Sequence, residues 1–258
     1  MTINLLEQFL VGQLTAFLLI FARTGAALMV MPMFGDVYVL PRVRLILAAG
    51  ISAILTPLLM DKMPAMPASV FGLGLLLISE ILIGSFIGTI ARALISIVHT
   101  AGTLIAYQSS LAVSSIFDPV TGTQTAVVSN FMTITAMVLM LTLNLHHLML
   151  ASIVESYDVF DPGQLPMLED MLKYYMRLIS DCFWLGVLLA TPHIVFSFIF
   201  YLIGGLMMRL MPNLQIFYVM LAPQIIIAFL LLLAILPIGM EIFTSYTEDQ
   251  LRHFAGEL

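Results

Sequence analysis

The chain has 258 residues, 61% of them hydrophobic and 9% charged, with a mean hydropathy of +1.10 and a formal net charge of −6. A soluble domain carries about 25% charged residues, so this chain has too little charge to coat a water-facing surface. Its nine Lys and Arg are scattered and make no basic patch, which argues against nucleic acid as a partner.

The class that remains is an all-α integral membrane protein. Its apolar runs are long and continuous, whereas a transmembrane barrel alternates over roughly ten-residue strands. The single cysteine, Cys182, leaves no internal disulfide.

In chain order, the opening "MTINLLEQFL" has no basic region and no small-residue cleavage site, so the first apolar run is expected to stay in the mature protein. A helix needs about 20 mostly apolar residues to cross about 30 Å of hydrocarbon. Six segments qualify, at about 9–31, 39–60, 68–98, 126–153, 182–206 and 214–240. Proline-containing breaks separate them: "MPMFGDVYVLPR" (31–42), "DKMPAMP" (61–67) and "RLMPN" (209–213). Between the fourth and fifth lies the polar stretch 155–181, where Asp161-Pro162-Gly163 signals a turn. After Pro166, Leu168, Met171, Leu172, Tyr175 and Ile179 recur at helical spacing, and Glu169 and Lys173 stand at i,i+4. This predicts a short amphipathic helix at an interface. The last two segments, joined by a few residues, read as an antiparallel hairpin. From Glu241 onward the chain is polar and should leave the membrane.

These segments are not simple lipid-facing rods. Wound as one helix, 126–153 puts Ser129, Asn130, Thr133, Asn144 and His147 on one side and Thr135, Thr142 and His146 on the other. Unpaired polar groups are costly in lipid, so such a helix wants protein or water on both sides. In the third segment Glu80, Gly84, Gly88 and Arg92 recur every four residues and form one ridge, with Gly84 and Gly88 making a GxxxG that allows close backbone approach. Glu80 and Arg92 stand about 18 Å apart along the axis and cannot pair with each other. Each needs a partner on another helix or a wet site, or else lies near a helix end and snorkels to the interface. Pro192, Pro223 and Pro237 each withdraw a backbone donor inside an apolar run. A subunit packed inside a larger helical assembly accounts for these signs, and a monomeric transporter shares them.

Catalytic signatures are absent. His146 and His147 are adjacent, so on a helix they diverge by about 100° and chelate poorly, and no HExxH accompanies them. Tyr157-Asp158 has no second membrane-embedded aspartate with a Gly-rich motif to complete an aspartyl site. There is no P-loop, GxSxG or dinucleotide fingerprint. No enzyme activity, cofactor or metal is expected. Nineteen methionines, clustered at 29–33, 60–66 and 207–211, read mostly as apolar filler.

One stretch stands apart: "AYQSSLAVSSIFDPVTGTQTA", residues 106–126, uncharged except for Asp118 and set between two very apolar segments. Ser, Thr and Gln tolerate water in a channel, Ile116 and Phe117 can seal one, and Asp118-Pro119 with Gly122 fixes a turn. The same residues also suit an ordinary surface loop.

Four motifs together, "MPMFGDVYVLPRVRLILA" (31–48), "GTLIAYQSSLAVSSIFDPVTGTQ" (102–124), "NLHHLMLASIVESYDVFDPG" (144–163) and "MPNLQIFYVMLAPQI" (211–225), resemble the FliR family of the flagellar export gate. That family has a counterpart, the SctT family, in virulence secretion systems. The positions that carry the likeness include Pro32, Phe34, Gly35, Pro41, Pro212, Gln215 and Pro223.

The resemblance implies a non-catalytic subunit of a helical, closed cone assembled with FliP-type and FliQ-type subunits. An FlhB-type partner accompanies it, in the bacterial inner membrane at the flagellar basal body. Unfolded flagellar proteins are the cargo. It further implies a FliP-like part over 1–181, a FliQ-like hairpin over 182–240 and a polar tail over 241–258. The 106–126 loop would be a luminal plug, with Gln108, Leu111, Phe117, Asp118, Pro119 and Gln124 at matching positions. The alternatives are an injectisome gate subunit and a small-solute transporter using Glu80, Arg92 and Asp118. The likeness along the whole chain favours the flagellum.

Overall fold

The computed structural model describes residues 2–36, 39–64, 67, 69–110, 127–164, 166–211 and 215–254, and among these it has helices and no strand. The helices are α1 (Thr2–Val30), α2 (Pro41–Leu59, followed by a 3₁₀ turn at Met60–Lys62), α3 (Val70–Gln108), α4 (Val127–Thr142), α5 (Leu145–Val159), α6 (Leu168–Leu210) and α7 (Ile216–Phe254). Among the described residues five stretches are long and apolar enough to cross a membrane: Gly12–Val30, Pro41–Lys62, Val70–Gln108, Leu168–Leu210 and Tyr218–Arg252. The α4–α5 pair makes a sixth if it counts as one broken span.

Four boundaries differ from the sequence reading, the first two for local reasons. The fourth segment is not one helix. Asn144 adopts the left-handed conformation (φ 59°) and starts α5, so the hydrogen-bond ladder is interrupted there. Asn is among the few residues that enter this region at low cost. The two-sided polar face drawn across 126–153 therefore does not exist as drawn, because Asn144, His146 and His147 belong to a different helix from Ser129 and Thr133. The amphipathic helix at 168–181 does not end before the fifth segment. No Gly or Pro intervenes between Ile179 and Cys182, and α6 runs unbroken for 43 residues. Likewise α3 reaches Gln108, and α7 continues through Glu241 to Phe254.

Pro57, Pro192, Pro223 and Pro237 all lie inside helices. Each removes an N–H from the i→i−4 ladder. Upstream of Pro57, hydroxyls turn back on the helix: Ser52 Oγ donates to Ala48 O (2.6 Å) and Thr56 Oγ1 to Ser52 O (2.7 Å). Thr191 Oγ1 does the same to Val187 O before Pro192 (3.0 Å). In hydrocarbon, where no water can take over, a hydroxyl satisfied by its own helix is stable.

The chain divides into two compact units. The first contains Met1–Ala93, Asn144–Leu178 and Glu248–Leu258. Its core includes Ile20 of α1, Leu55 and Leu59 of α2 and Tyr157 of α5, with Ile51, Met63 and Val154 packed against them. The second contains Leu94–Leu143 and Ile179–Thr247. There helices meet through small residues. A Cβ on Gly102 of α3 would lie 2.5 Å from Ser129 Cα of α4, and one on Gly186 of α6 would lie 2.9 Å from Ile97 O of α3. Such positions let backbones approach where lipid gives no hydrophobic drive to association. Ser129 Oγ also donates to His99 O (3.0 Å). In the C-terminal hairpin, His193 Nε2 of α6 stands 3.3 Å from Ala228 O of α7.

Candidate functional site

A dense polar cluster is built around Arg23, an arginine in the C-terminal half of α1. It is completely buried, and so is its partner, Glu80 of α3. Arg23 Nε donates to Glu80 Oε2 at 2.6 Å and Nη2 to Glu80 Oε1 at 3.1 Å. This two-toothed geometry is the strong form of the carboxylate–guanidinium pair. The remaining donors reach α5: Nη1 donates to Ser156 Oγ (3.1 Å) and Nη2 to Phe160 O (3.3 Å), just past the end of that helix. The guanidinium carbon also lies 3.8 Å from the ring centroid of Tyr157, in the cation–π position. One side chain thus ties α1, α3 and α5.

The glycine pair of α3 makes this contact sterically feasible. A Cβ on Gly84 would lie 2.1 Å from Arg23 O, and one on Gly88 would lie 2.7 Å from both Ala27 O and Val30 Cβ. Arg92, the last member of the ridge, is half exposed and pairs with Asp36 (Nη2 to Oδ1, 3.0 Å) in the turn after α1. Glu80, Gly84, Gly88 and Arg92 all meet α1 or the turn that follows it.

That turn contains Pro32, Phe34 and Gly35. Gly35 has no room for a side chain, because a Cβ would lie 2.4 Å from Met29 O and 2.8 Å from Met31 O. Met33 takes φ 70°, and its N–H is held by Asp36 Oδ2 (3.0 Å). Arg44 Nη2 donates to the carbonyls of Asp36 (3.0 Å) and Val39 (3.1 Å). Pro41 opens α2, where its missing N–H costs nothing.

A second cluster gathers at the C-terminus of α3. Gln108 Oε1 accepts from Ser197 Oγ of α6 (2.6 Å), and Gln108 O accepts from Gln224 Nε2 of α7 (3.0 Å). Gln224 Nε2 also donates to Tyr201 Oη (3.1 Å), which lies 3.4 Å from Ser110 Oγ. Pro223 precedes Gln224 within α7, and Gln215 is exposed just ahead of that helix. Leu111, Ile116, Phe117, Asp118, Pro119 and Gln124, and also Pro212, lie outside the described residues.

Sequence reasoning missed Arg23, Asp36, Ser156, Ser197 and Tyr201. Arg23 carried a readable signal, as a lone charge inside an apolar run. Ser156, Ser197 and Tyr201 carried none. Tyr157 and Asp158 do not act together: Tyr157 lies beneath Arg23, whereas exposed Asp158 pairs with Lys62. The rings of His146 and His147 stand 4.1 Å apart, and among the described residues no three His, Cys, Asp or Glu gather in a way that could hold a metal ion.

These features define a polytopic α-helical membrane protein in which the buried charges of Arg23 and Glu80 are paired internally. The family model described as bacterial export proteins, family 1, matches residues 14–250. The flagellar biosynthetic protein FliR of Caulobacter vibrioides is 37% identical over 217 residues, covering 84% of this chain and 86% of that protein. Those of Bacillus subtilis (30% over 221 residues, 84% and 85%) and Escherichia coli (27% over 218 residues, 84% and 82%) are similar over the same extent. The chain belongs to this export family, with the FliR proteins of flagellar biosynthesis.

Proposed function

We propose that the chain is a non-catalytic subunit of the flagellar type III export gate. It assembles with FliP-type and FliQ-type subunits and an FlhB-type partner into a closed helical cone at the basal body in the inner membrane. Unfolded flagellar proteins pass through that cone. Residues 1–181 form the FliP-like part, 182–240 the FliQ-like hairpin and 241–258 the tail, while 106–126 plugs the lumen. The observation that carries this reading is the family relation to FliR proteins over more than four-fifths of the chain.

The geometry supports it on two counts. Glu80 and Arg92 are held by Arg23 and Asp36, so neither is free to relay ions as a small-solute carrier would need. Large apolar side chains stand exposed along α6 and α7, among them Phe198, Ile199, Ile226 and Leu230, as expected of helices that neighbouring subunits cover.

The test is purification from native membranes with identification of what accompanies the chain. FliP-type and FliQ-type proteins in fixed ratio are expected, and a stable, active monomer refutes the proposal. Deleting residues 110–120 tests the plug: assembly should persist while the membrane becomes leaky to ions.

A further inference from the structure

Phe160, whose carbonyl accepts from Arg23, also walls a cavity of about 420 Å³ in the first unit, between α3, the end of α5 and the start of α6. Pockets for small ligands span about 300–1,000 Å³. The wall is aromatic: the Phe86 ring stands 6.3 Å from that of Phe160 at 85° and 6.5 Å from that of Tyr174 at 62°. Asp161 and Asp170 add two exposed carboxylates to the same lining. The turn that carries Asp161 is fixed. Gln164 N–H donates to Asp161 O (3.3 Å), and Gly163 takes φ 96° at a point where a Cβ would lie 3.2 Å from Pro64 Cγ. Glycine enters that backbone region without steric cost.

Charge decides what fits. Asp158 pairs with Lys62, and Glu169 with Lys173 at 2.7 Å, so these carboxylates are matched within the chain. Asp170 Oδ1 is only a distant second partner of Lys173 Nζ, at 3.9 Å. Asp161 Oδ2 accepts a long hydrogen bond from Gln164 Nε2 (3.4 Å). Among the described residues no lysine or arginine lines the cavity. Aromatic faces and carboxylates both attract a cation, and a cation on an apolar stem suits both kinds of wall. A lipid phosphate would be repelled by the two carboxylates. We propose that this cavity is a socket for a lysine or arginine side chain presented by a neighbouring subunit of the gate, its stem against Phe86, Phe160 and Tyr174 and its head on Asp161 and Asp170. The inference rests on the export-gate reading, which supplies the neighbour.

The experiment uses the full chain in its native complex in membranes. The photo-crosslinking residue p-benzoylphenylalanine is placed at Met167, which lines the cavity and is 76% exposed. Mass spectrometry identifies the captured peptide, and native gels report complex recovery. The crosslink should reach one gate subunit, at a peptide that contains a lysine or arginine. Asp161→Asn with Asp170→Asn keeps the shape and removes the charge. It should lower the crosslink yield about tenfold, the change that one charge-assisted hydrogen bond makes. Asp161→Glu with Asp170→Glu should retain the crosslink. Replacing the captured basic residue of the neighbour by glutamine should reproduce the loss.

Wild-type yield in the Asn pair overturns the socket. So does capture at a peptide without a basic residue, of lipid alone or of exported cargo alone. With FliP-type and FliQ-type proteins still co-purifying, each of these results leaves the gate reading standing. Absence of those proteins from the wild-type complex overturns the gate reading and the inference with it. Should the Asn pair not assemble, Asp161→Asn and Asp170→Asn decide singly by the same yields.

Discussion

Replacing Glu80 by alanine removes the partner of a fully buried arginine. Arg23 then keeps only Ser156 Oγ and Phe160 O as acceptors, together with the face of Tyr157. Both hydrogen bonds to the carboxylate, at 2.6 and 3.1 Å, are lost, and the positive charge remains where neither water nor a counterion reaches it. Stranding one member of a buried pair costs about 3–5 kcal/mol. Removing both charges, as Arg23→Met with Glu80→Leu, strands nothing and should restore most of that stability.

The assay is unfolding of the purified native complex in mixed micelles of increasing SDS fraction, followed by protease cutting of this chain, on wild type, both single variants and the double. Strong coupling is expected, with each single variant less stable than the double. Additivity within about 0.5 kcal/mol would refute the reasoning, because residues that do not interact add to that precision.

The other expectations follow from the same contacts. Gly84→Ala puts a methyl 2.1 Å from the Arg23 carbonyl and should destabilise by about 1–3 kcal/mol through overpacking. Gly50→Ala, in α2 with nothing within 4 Å of the new methyl, should be neutral or gain up to about 1 kcal/mol of helix propensity. Recovery of intact complex from membranes separates the two. Arg92→Ala breaks a pair whose arginine is half exposed and should cost at most about 1 kcal/mol, leaving complex recovery unchanged. Recovery as poor as for Glu80→Ala would show that the turn after α1, not the Arg23 cluster, holds the first unit.

Much of this was legible in the sequence because the membrane makes polar residues conspicuous. Glu80 in an apolar run called for a partner, a wet site or a nearby helix end, and the glycines every four residues marked the side on which a helix could come close. The partner's identity was hidden, because Arg23 and Glu80 are 57 positions apart and nothing in a linear string gives the distance between them. The break at Asn144 was hidden for a different reason. Apolar residues continue on both sides at helical spacing, and one left-handed residue changes no periodicity. The run-on of α6 from Leu168 was misjudged because charge marked an interface, yet charge alone does not end a helix. Serines such as Ser156 and Ser197 gave no warning, since most hydroxyls in these helices bond their own backbone.

The placement of the polar contacts has a physical logic. Lipid tails are as apolar as leucine, so burying another leucine does little to choose one helix neighbour over another. Register must then come from groups for which the wrong neighbour is costly. In the first unit that role falls to Arg23, whose donors match acceptors on α3 and α5 only when both helices stand in one register. In the second, Gln224 and Ser197 recognise the end of α3 in the same way. The exposed apolar side chains of α6 and α7 carry no such directionality. Conservative exchange among them, such as Phe198→Leu or Leu230→Ile, should therefore leave the internal fold intact, and its effect should appear in binding to neighbours. Internal unfolding caused by either exchange would mean that packing, not the polar contacts, sets the register.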